Sequence, residues 1–361
     1  LMTSTSTRVR GLLDKQDLTQ AAFAAKIGLD PTKLSKSLNG TRRFSSLELA
    51  LIADSCNVTV DWLLTGHEQE IALAARKSAG SSVAVPLELA NEYATKRKDL
   101  AEQGRVQSWS LPGPIAMQGR WVDQGARLAE AALQQVRQQG REPWEPLFEV
   151  IPQVFGIDVA VQDLGEGFDG LAVATETARL ILVNRTSVYA RQRFTIAHEL
   201  GHLLASDDQQ IHQDKDIHAD ESRTGESEMR ANAFAAAFLM PEVEVVREPL
   251  RTKEAFCALA CQLHVSPSAL AYRLKGLRAI DGGTCDDWRG ISASQAAKLA
   301  GCEADVPLLQ QEALTLRAPE SLVRDTYAAY RAGEITLRPY AQLLGVETAT
   351  LRQQLSMDEG V

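Results

Sequence analysis

Five consecutive residues, His198-Glu199-Leu200-Gly201-His202, restrict what this chain can fold into more than any other feature. Residues four apart share one face of an α-helix, so a helix here turns both imidazoles toward a single point. Two imidazoles at that spacing, with a glutamate beside the first, make the HExxH pattern of a zinc site. Zinc held this way lowers the pKa of a bound water toward neutrality, and Glu199 is the general base expected to take its proton. The motif helix is expected to run from about Gln192 to Leu204.

A catalytic zinc takes three protein ligands and keeps one position open. The metzincin continuation would need glycine at 205 and histidine at 208, where the chain has Ala205 and Asp208. The downstream candidates are His212, His218, Glu226 and Glu228. The two histidines fall in an Asp-rich stretch over 206–226 that reads as a polar loop. A helix follows from about Glu226 to Met240, ended by Pro241. Its apolar stripe is Ala231, Phe234, Ala235, Phe238 and Leu239. At about 100° per residue, Glu228 falls within that stripe and Glu226 nearly opposite it. A carboxylate on a buried face needs a partner, and a metal ion is one. Helix geometry thus favours Glu228 as the third ligand.

At 361 residues the chain has room for two or three domains. No apolar run approaches the roughly 18 residues of a membrane span. The opening Leu1-Met2-Thr3-Ser4 lacks the basic and apolar parts of a signal peptide. The cysteines Cys56, Cys257, Cys261, Cys285 and Cys302 are odd in number and include no CxxC pair. That argues against a disulfide framework or zinc ribbon and for a cytoplasmic setting. Cys257 and Cys261, four apart on one helix, read as small buried hydrophobes, with a metal or redox role as the alternative. The net charge of −9 excludes the whole chain as a bulk nucleic-acid binder but leaves room for a local basic face.

The expected fold class is mainly α with a small β-sheet. An N-terminal helix-turn-helix bundle occupies 1–66, and a linker and connecting segment spans 67–124. A central α+β zincin-like domain with the HExxH helix covers 125–280, and a helical C-terminal module fills 281–361. Strands are expected at Ile157–Val161, Leu171–Thr175 and Leu180–Asn184, the last two joined by a hairpin at Glu176-Thr177-Ala178. Residues 86–120 show little pattern, and Pro112-Gly113-Pro114 breaks it firmly.

In the N-terminal part, a helix opening at Leu18-Thr19-Gln20 stops at Gly28, and Asp30-Pro31 starts the next as N-cap and first-turn proline. A helix, a tight turn and a second short helix make a DNA-reading layout whose second helix enters the major groove. Thr32, Lys33, Ser35, Lys36 and Asn39 suit contact with base edges, and Arg42 and Arg43 suit phosphates. From Pro31 to Leu47 there are four basic residues and no acidic one, the electrostatic footprint of such a face. Leu34, Leu38, Leu49, Ile52 and Trp62 are its expected core. Residues 341–355 faintly repeat this rhythm and read as a packing or dimerisation element.

Two resemblances add to this reading. Arg193–His202, Glu228–Ala236, Leu239-Met240-Pro241 and the strands around Phe168–Ala172 and Ile181–Asn184 resemble the ImmA/IrrE family of bacterial zinc peptidases over about 125–280. The resemblance implies that His198, His202 and Glu228 bind Zn²⁺, and that the target is a repressor protein whose cleavage releases stress-response or mobile-element genes. The pattern Leu18-Thr19-Gln20, Ala24, Gly28-Leu29, Leu34-Ser35, Asn39-Gly40-Thr41-Arg42 resembles the Cro/C1-type (XRE family) helix-turn-helix. It implies that Gln20 contacts DNA and that a homodimer binds a palindromic double-stranded operator. Tyr189 and Arg193 are near the motif in sequence only, and neither is assigned a transition-state role.

The expected function is a transcriptional regulator carrying a zinc-peptidase-like domain, with Glu199 favouring retained chemistry. The alternative is a non-catalytic regulator whose zincin-like domain senses a ligand, metal or partner and alters DNA binding. A third reading is an immunity or antitoxin-like protein that acts by binding its partner.

Overall fold

The computed structural model describes residues 5–15, 18–56, 58, 63, 84–113, 118–165, 168–206, 217–247 and 250–358. The chain divides into two compact units, Leu1–Val83 and Ala84–Val361. Among the described residues no helix is long and apolar enough to cross a membrane.

The first unit contains helices α1 (Thr5–Lys15), α2 (Gln20–Lys26), α3 (Pro31–Leu38) and α4 (Ser46–Cys56). The Thr19 hydroxyl accepts the Ala22 N–H, and the Asp30 carboxylate accepts the Lys33 N–H at 2.9 Å, so each of α2 and α3 begins on a side-chain cap. Gly28 takes φ +66° between them, a left-handed turn that glycine adopts without strain. Val9, Leu12, Phe23, Ile27, Leu34, Leu38, Leu49 and Ile52 close a core from all four helices. Trp62 lies outside the described residues.

The second unit begins with α5 (Ala84–Glu102), α6 (Trp121–Gln138) and α7 (Leu147–Phe155). Strands β1 (Asp158–Gln162), β2 (Gly170–Ala174) and β3 (Arg179–Asn184) follow. The sheet order is β1-β3-β2, with β1 parallel and β2 antiparallel to β3. Leu180-Ile181-Leu182-Val183 is buried along its whole length, as a central strand covered on both faces must be. Helix α8 (Tyr189–Ala205) lies against β2 and β3 and packs on α9 (Ile217–Leu239), which in turn packs closely on α6. A Cβ at Gly125 on α6 would collide with the Arg230 carbonyl and stand 2.8 Å from the Phe234 nitrogen of α9, so glycine is required for this approach. Among the described residues, nine further helices follow in the unit: α10 (Glu242–Val245), α11 (Lys253–Leu263), α12 (Pro267–Gly276), α13 (Gly282–Trp288), α14 (Ala293–Ala300), α15 (Asp305–Leu314), α16 (Glu320–Arg331), α17 (Arg338–Leu343) and α18 (Thr348–Asp358).

Three boundaries differ from the sequence reading. Residues 84–113 are not a connecting segment. Helix α5 belongs to the second unit, where Arg97 is only 2% exposed and forms a two-point ion pair with Asp158 on β1, at 2.6 and 2.8 Å. The same guanidinium reaches Asp325 on α16 at 2.6 Å. Burial works against this charge, but the two carboxylates outweigh it and hold Arg97 above its ordinary pKa. The helices from 281 onward, expected as a C-terminal module, fall within the second unit. The Val161 and Arg317 backbones exchange hydrogen bonds at 2.9 and 3.0 Å, and the Gln192 amide donates to the Ala313 carbonyl at 2.8 Å. Among the described residues, α17 and α18 gather around a cluster built on Leu337, Ala341 and Leu351. Finally, the stretch read as a loop over 206–226 is helical from Ile217, because a helix that is polar all round carries no periodic signal. His212 and the rest of 207–216 lie outside the described residues.

A buried ion pair that loses one partner leaves an uncompensated charge, at about 3–5 kcal/mol. Arg97→Ala is expected to destabilise the chain by that order in urea denaturation. A midpoint within experimental error of the parent would remove Arg97 from this role.

Candidate metal centre

The motif helix α8 is held from two sides by missing side chains. A Cβ at Gly201 would fall 2.9 Å from the Phe234 ring on α9, so this glycine lets the two helices close. A Cβ at Gly170 would stand 2.6 Å from the Thr195 methyl and 3.4 Å from Glu199 Cγ, so strand β2 passes directly over the helix. Phe234 stacks on Phe238 with ring centroids 5.5 Å apart, and both are fully buried. The helix therefore has no slack in either direction.

Within this clamp the His198 and His202 Nε2 atoms stand 3.1 Å apart. The Glu228 carboxylate of α9 approaches them at 3.2 and 3.3 Å. Among the described residues these three form a group whose donor atoms all lie within 4.8 Å of one another. Glu226 lies outside this group, two residues earlier on the same helix, and the side chain of His218 is outside the described residues. The geometric argument for Glu228 needs one correction. Its stripe is buried from Ala231 onward, but Glu228 itself is half exposed, where the stripe leaves the core and opens onto the site.

Asn232, one turn after Glu228, supports the first histidine. Its Oδ1 lies 3.1 Å from His198 Nδ1 and accepts from an Nδ1–H, the tautomer that offers the Nε2 lone pair to a cation in the cluster. Two imidazoles and a carboxylate converging in this way fit a borderline cation such as zinc. The two histidines hold Glu228 far below the usual carboxylate range. Glu199, beside them, is pushed the other way by burial, against the pull of both histidines and a backbone hydrogen bond from Ala172 on β2. The arrangement offers an acid–base carboxylate next to a three-donor cluster.

Sequence reasoning missed Asn232 as a partner, although its spacing from Glu228 puts it on the same helix face. It also missed the Ala172 backbone. Arg193 is built into the scaffold: fully buried, it donates to the Glu145 carbonyl at 2.8 Å and to that of Pro143. Tyr189 lies beneath its guanidinium, 5.7 Å away.

In the first unit, Gln20, Thr32, Lys33, Lys36, Asn39 and Arg43 are exposed, and Ser35 is partly so. Arg42 departs from the reading as a phosphate contact. Its guanidinium grips Glu48 on α4 through two bonds of 2.9 Å and donates to Ser37 at 3.1 Å, so it fastens the loop after α3. Asn39 is also engaged, accepting from Arg10 of α1 at 3.2 Å.

Comparison with known proteins agrees with this division. Residues 152–275 match the family model of the IrrE N-terminal-like domain, and residues 9–63 match a helix-turn-helix model. A curated relative, the radiation response metalloprotease IrrE of Deinococcus radiodurans, is 39% identical over 100 residues. That match covers 26% of this chain and 30% of the relative, so less than a third of the relative's length is represented. The chain carries a helix-turn-helix DNA-binding domain and an IrrE-like metallopeptidase domain.

The contact between Gly201 and Phe234 can be tested directly. Gly201→Val places two methyl groups where the Phe234 ring already sits, and overpacking of this kind costs about 1–3 kcal/mol. Urea denaturation is expected to show that loss, and an unshifted midpoint would mean that the helices are not in contact there.

Proposed function

We propose that this protein is a DNA-binding regulator whose metallopeptidase domain is a zinc endopeptidase that cuts a repressor protein. The observation that carries the reading is the convergence of His198, His202 and Glu228 beside Glu199, beneath the edge of a strand. When bound, zinc supplies Lewis-acid polarisation to a water and to the scissile carbonyl. Glu199 takes the proton of the attacking water and returns it to the leaving amine nitrogen. Its raised affinity for a proton suits both halves of that task.

Strand β2 supports a substrate in extended form. Asn184 N–H bonds to Asp169 O and Thr175 N–H to Ala178 O, so the odd-numbered residues of β2 face β3. The backbone groups of Gly170 and Ala174 then point away from β3, on the side where Ala172 meets Glu199. An extended peptide adding to that edge would carry its carbonyls past the site. A cavity of about 350 Å³ beside Thr195, lined by Phe168, Asp169, Arg185 and Arg191, has room for a substrate side chain.

On the DNA side, α3 presents Thr32, Lys33, Ser35 and Lys36 to the major groove of an operator, with Gln20 and Arg43 at its flanks. By the resemblance to the Cro/C1-type family, the operator is palindromic and a homodimer binds it.

Glu199→Gln is expected to keep zinc and operator binding while abolishing cleavage of candidate repressors in vitro. Metal analysis of the same preparations should show zinc lost in His202→Ala. If Glu199→Gln leaves the response of target genes unchanged in cells, the domain acts as a sensor and the peptidase reading fails. For the DNA-binding unit, Lys36→Ala with Arg43→Ala should weaken operator binding and lower the slope of log K against log salt by about 2. Equal slopes for the parent and the double variant would place the DNA elsewhere.

A further inference from the structure

The sequence reading made Cys261 a small buried hydrophobe, with a redox role as the alternative, and the fold leaves it only partly buried. Cys257 and Cys285 are sealed in the core, whereas Cys261 and Cys302 are only partly buried. Their Sγ atoms stand 2.7 Å apart. A covalent S–S bond measures about 2.05 Å, so the two sulfurs lie within a small movement of bonding. Helix packing brings them there: Cys261 is on α11, which packs on α14, and Cys302 follows the left-handed Gly301 that ends α14. The Cys302 N–H is fixed on the Ala297 carbonyl at 2.9 Å.

We propose that Cys261 and Cys302 are a reversible oxidation site, closing to a disulfide on exposure to hydrogen peroxide. Burial and the neighbouring sulfur push the Cys261 thiol up to about 12. In this scheme Cys302, in the turn after α14 rather than within a helix, is the attacking sulfur. The Cys302 thiolate attacks the peroxide, the O–O bond breaks, hydroxide leaves and is protonated to water, and a sulfenic acid remains. Cys261 sulfur then attacks the sulfenyl sulfur. The S–S bond forms, the S–O bond breaks, and the oxygen departs as water with the Cys261 proton. In sum, two thiols lose two electrons and two protons, and one peroxide becomes two waters.

The position of the pair gives the bond a mechanical consequence. Cys302 leads into α15, whose Ala313 carbonyl accepts from Gln192 on the motif helix at 2.8 Å and from the Thr186 N–H at 3.2 Å. Cys261 is followed by His264, whose ring stands edge-on to Tyr189, the first residue of the motif helix, at 5.6 Å. A bond between the two sulfurs ties these two supports together and restricts their local opening.

The test uses the full chain treated with hydrogen peroxide, blocked with N-ethylmaleimide and mapped as non-reduced peptides. The expected result is a cross-linked pair containing Cys261 and Cys302, absent after dithiothreitol. In Cys261→Ser, Cys302 should be trapped as a sulfenic acid by dimedone, and Cys302→Ser should lose that label. Oxidation of the parent should slow amide exchange across 301–314 and raise the melting temperature by several degrees, reversibly. Full alkylation of all five cysteines after peroxide, or a cross-link mapping to Cys257, overturns the proposal. The parent peptide map alone decides the pairing, whether or not the serine variants fold.

Discussion

The close packing of the motif helix between a strand and a second helix is the constraint on which the rest of the site depends. Gly170 lets β2 lie over the helix, and Gly201 lets α9 close on it from the other side. A single methyl at either place would force a neighbour to shift, the Thr195 side chain at Gly170 and the Phe234 ring at Gly201. The histidines come from one helix and their carboxylate partner from another, so the geometry of the cluster is set by helix–helix distance. The fully buried Phe234 and Phe238 fix that distance, because a dense apolar core does not yield to small displacements.

Much of the site was legible in the sequence, for reasons that are physical. His198 and His202 needed only the helical repeat, and Glu228 needed the repeat plus the direction of the apolar stripe. The argument reached a residue that stands beside both histidines although Glu228 is half exposed, because the stripe points that way even after it has left the core. Asn232 was hidden because an asparagine on a helix looks like a solvated residue until its partner histidine is known. Arg42 misled for a related cause: charge alone cannot distinguish a phosphate contact from a side chain already committed to Glu48.

The fold was legible where caps and periodicity coincide, as in α2, α3 and the three strands. It failed at α5, and Arg97 is the reason. Ala90, Tyr93, Ala94, Arg97 and Leu100 form one buried face at helical spacing. Read as a surface charge, Arg97 breaks the stripe in the middle; read as a buried ion it completes it. The cysteines show the same limit. Forty-one positions separate Cys261 from Cys302, and only the packing of two distant helices brings them into contact.

The Arg97 cluster also bears on how such a protein can be inherited. One guanidinium joins a helix at the start of the second unit, a strand in its centre and a helix close to its end. Recombination or truncation that removed α16 would take Asp325 away and leave that interior charge with less compensation than it was selected with. The second unit therefore depends on both of its ends at once, because α5 and α16 meet at the same interior charge.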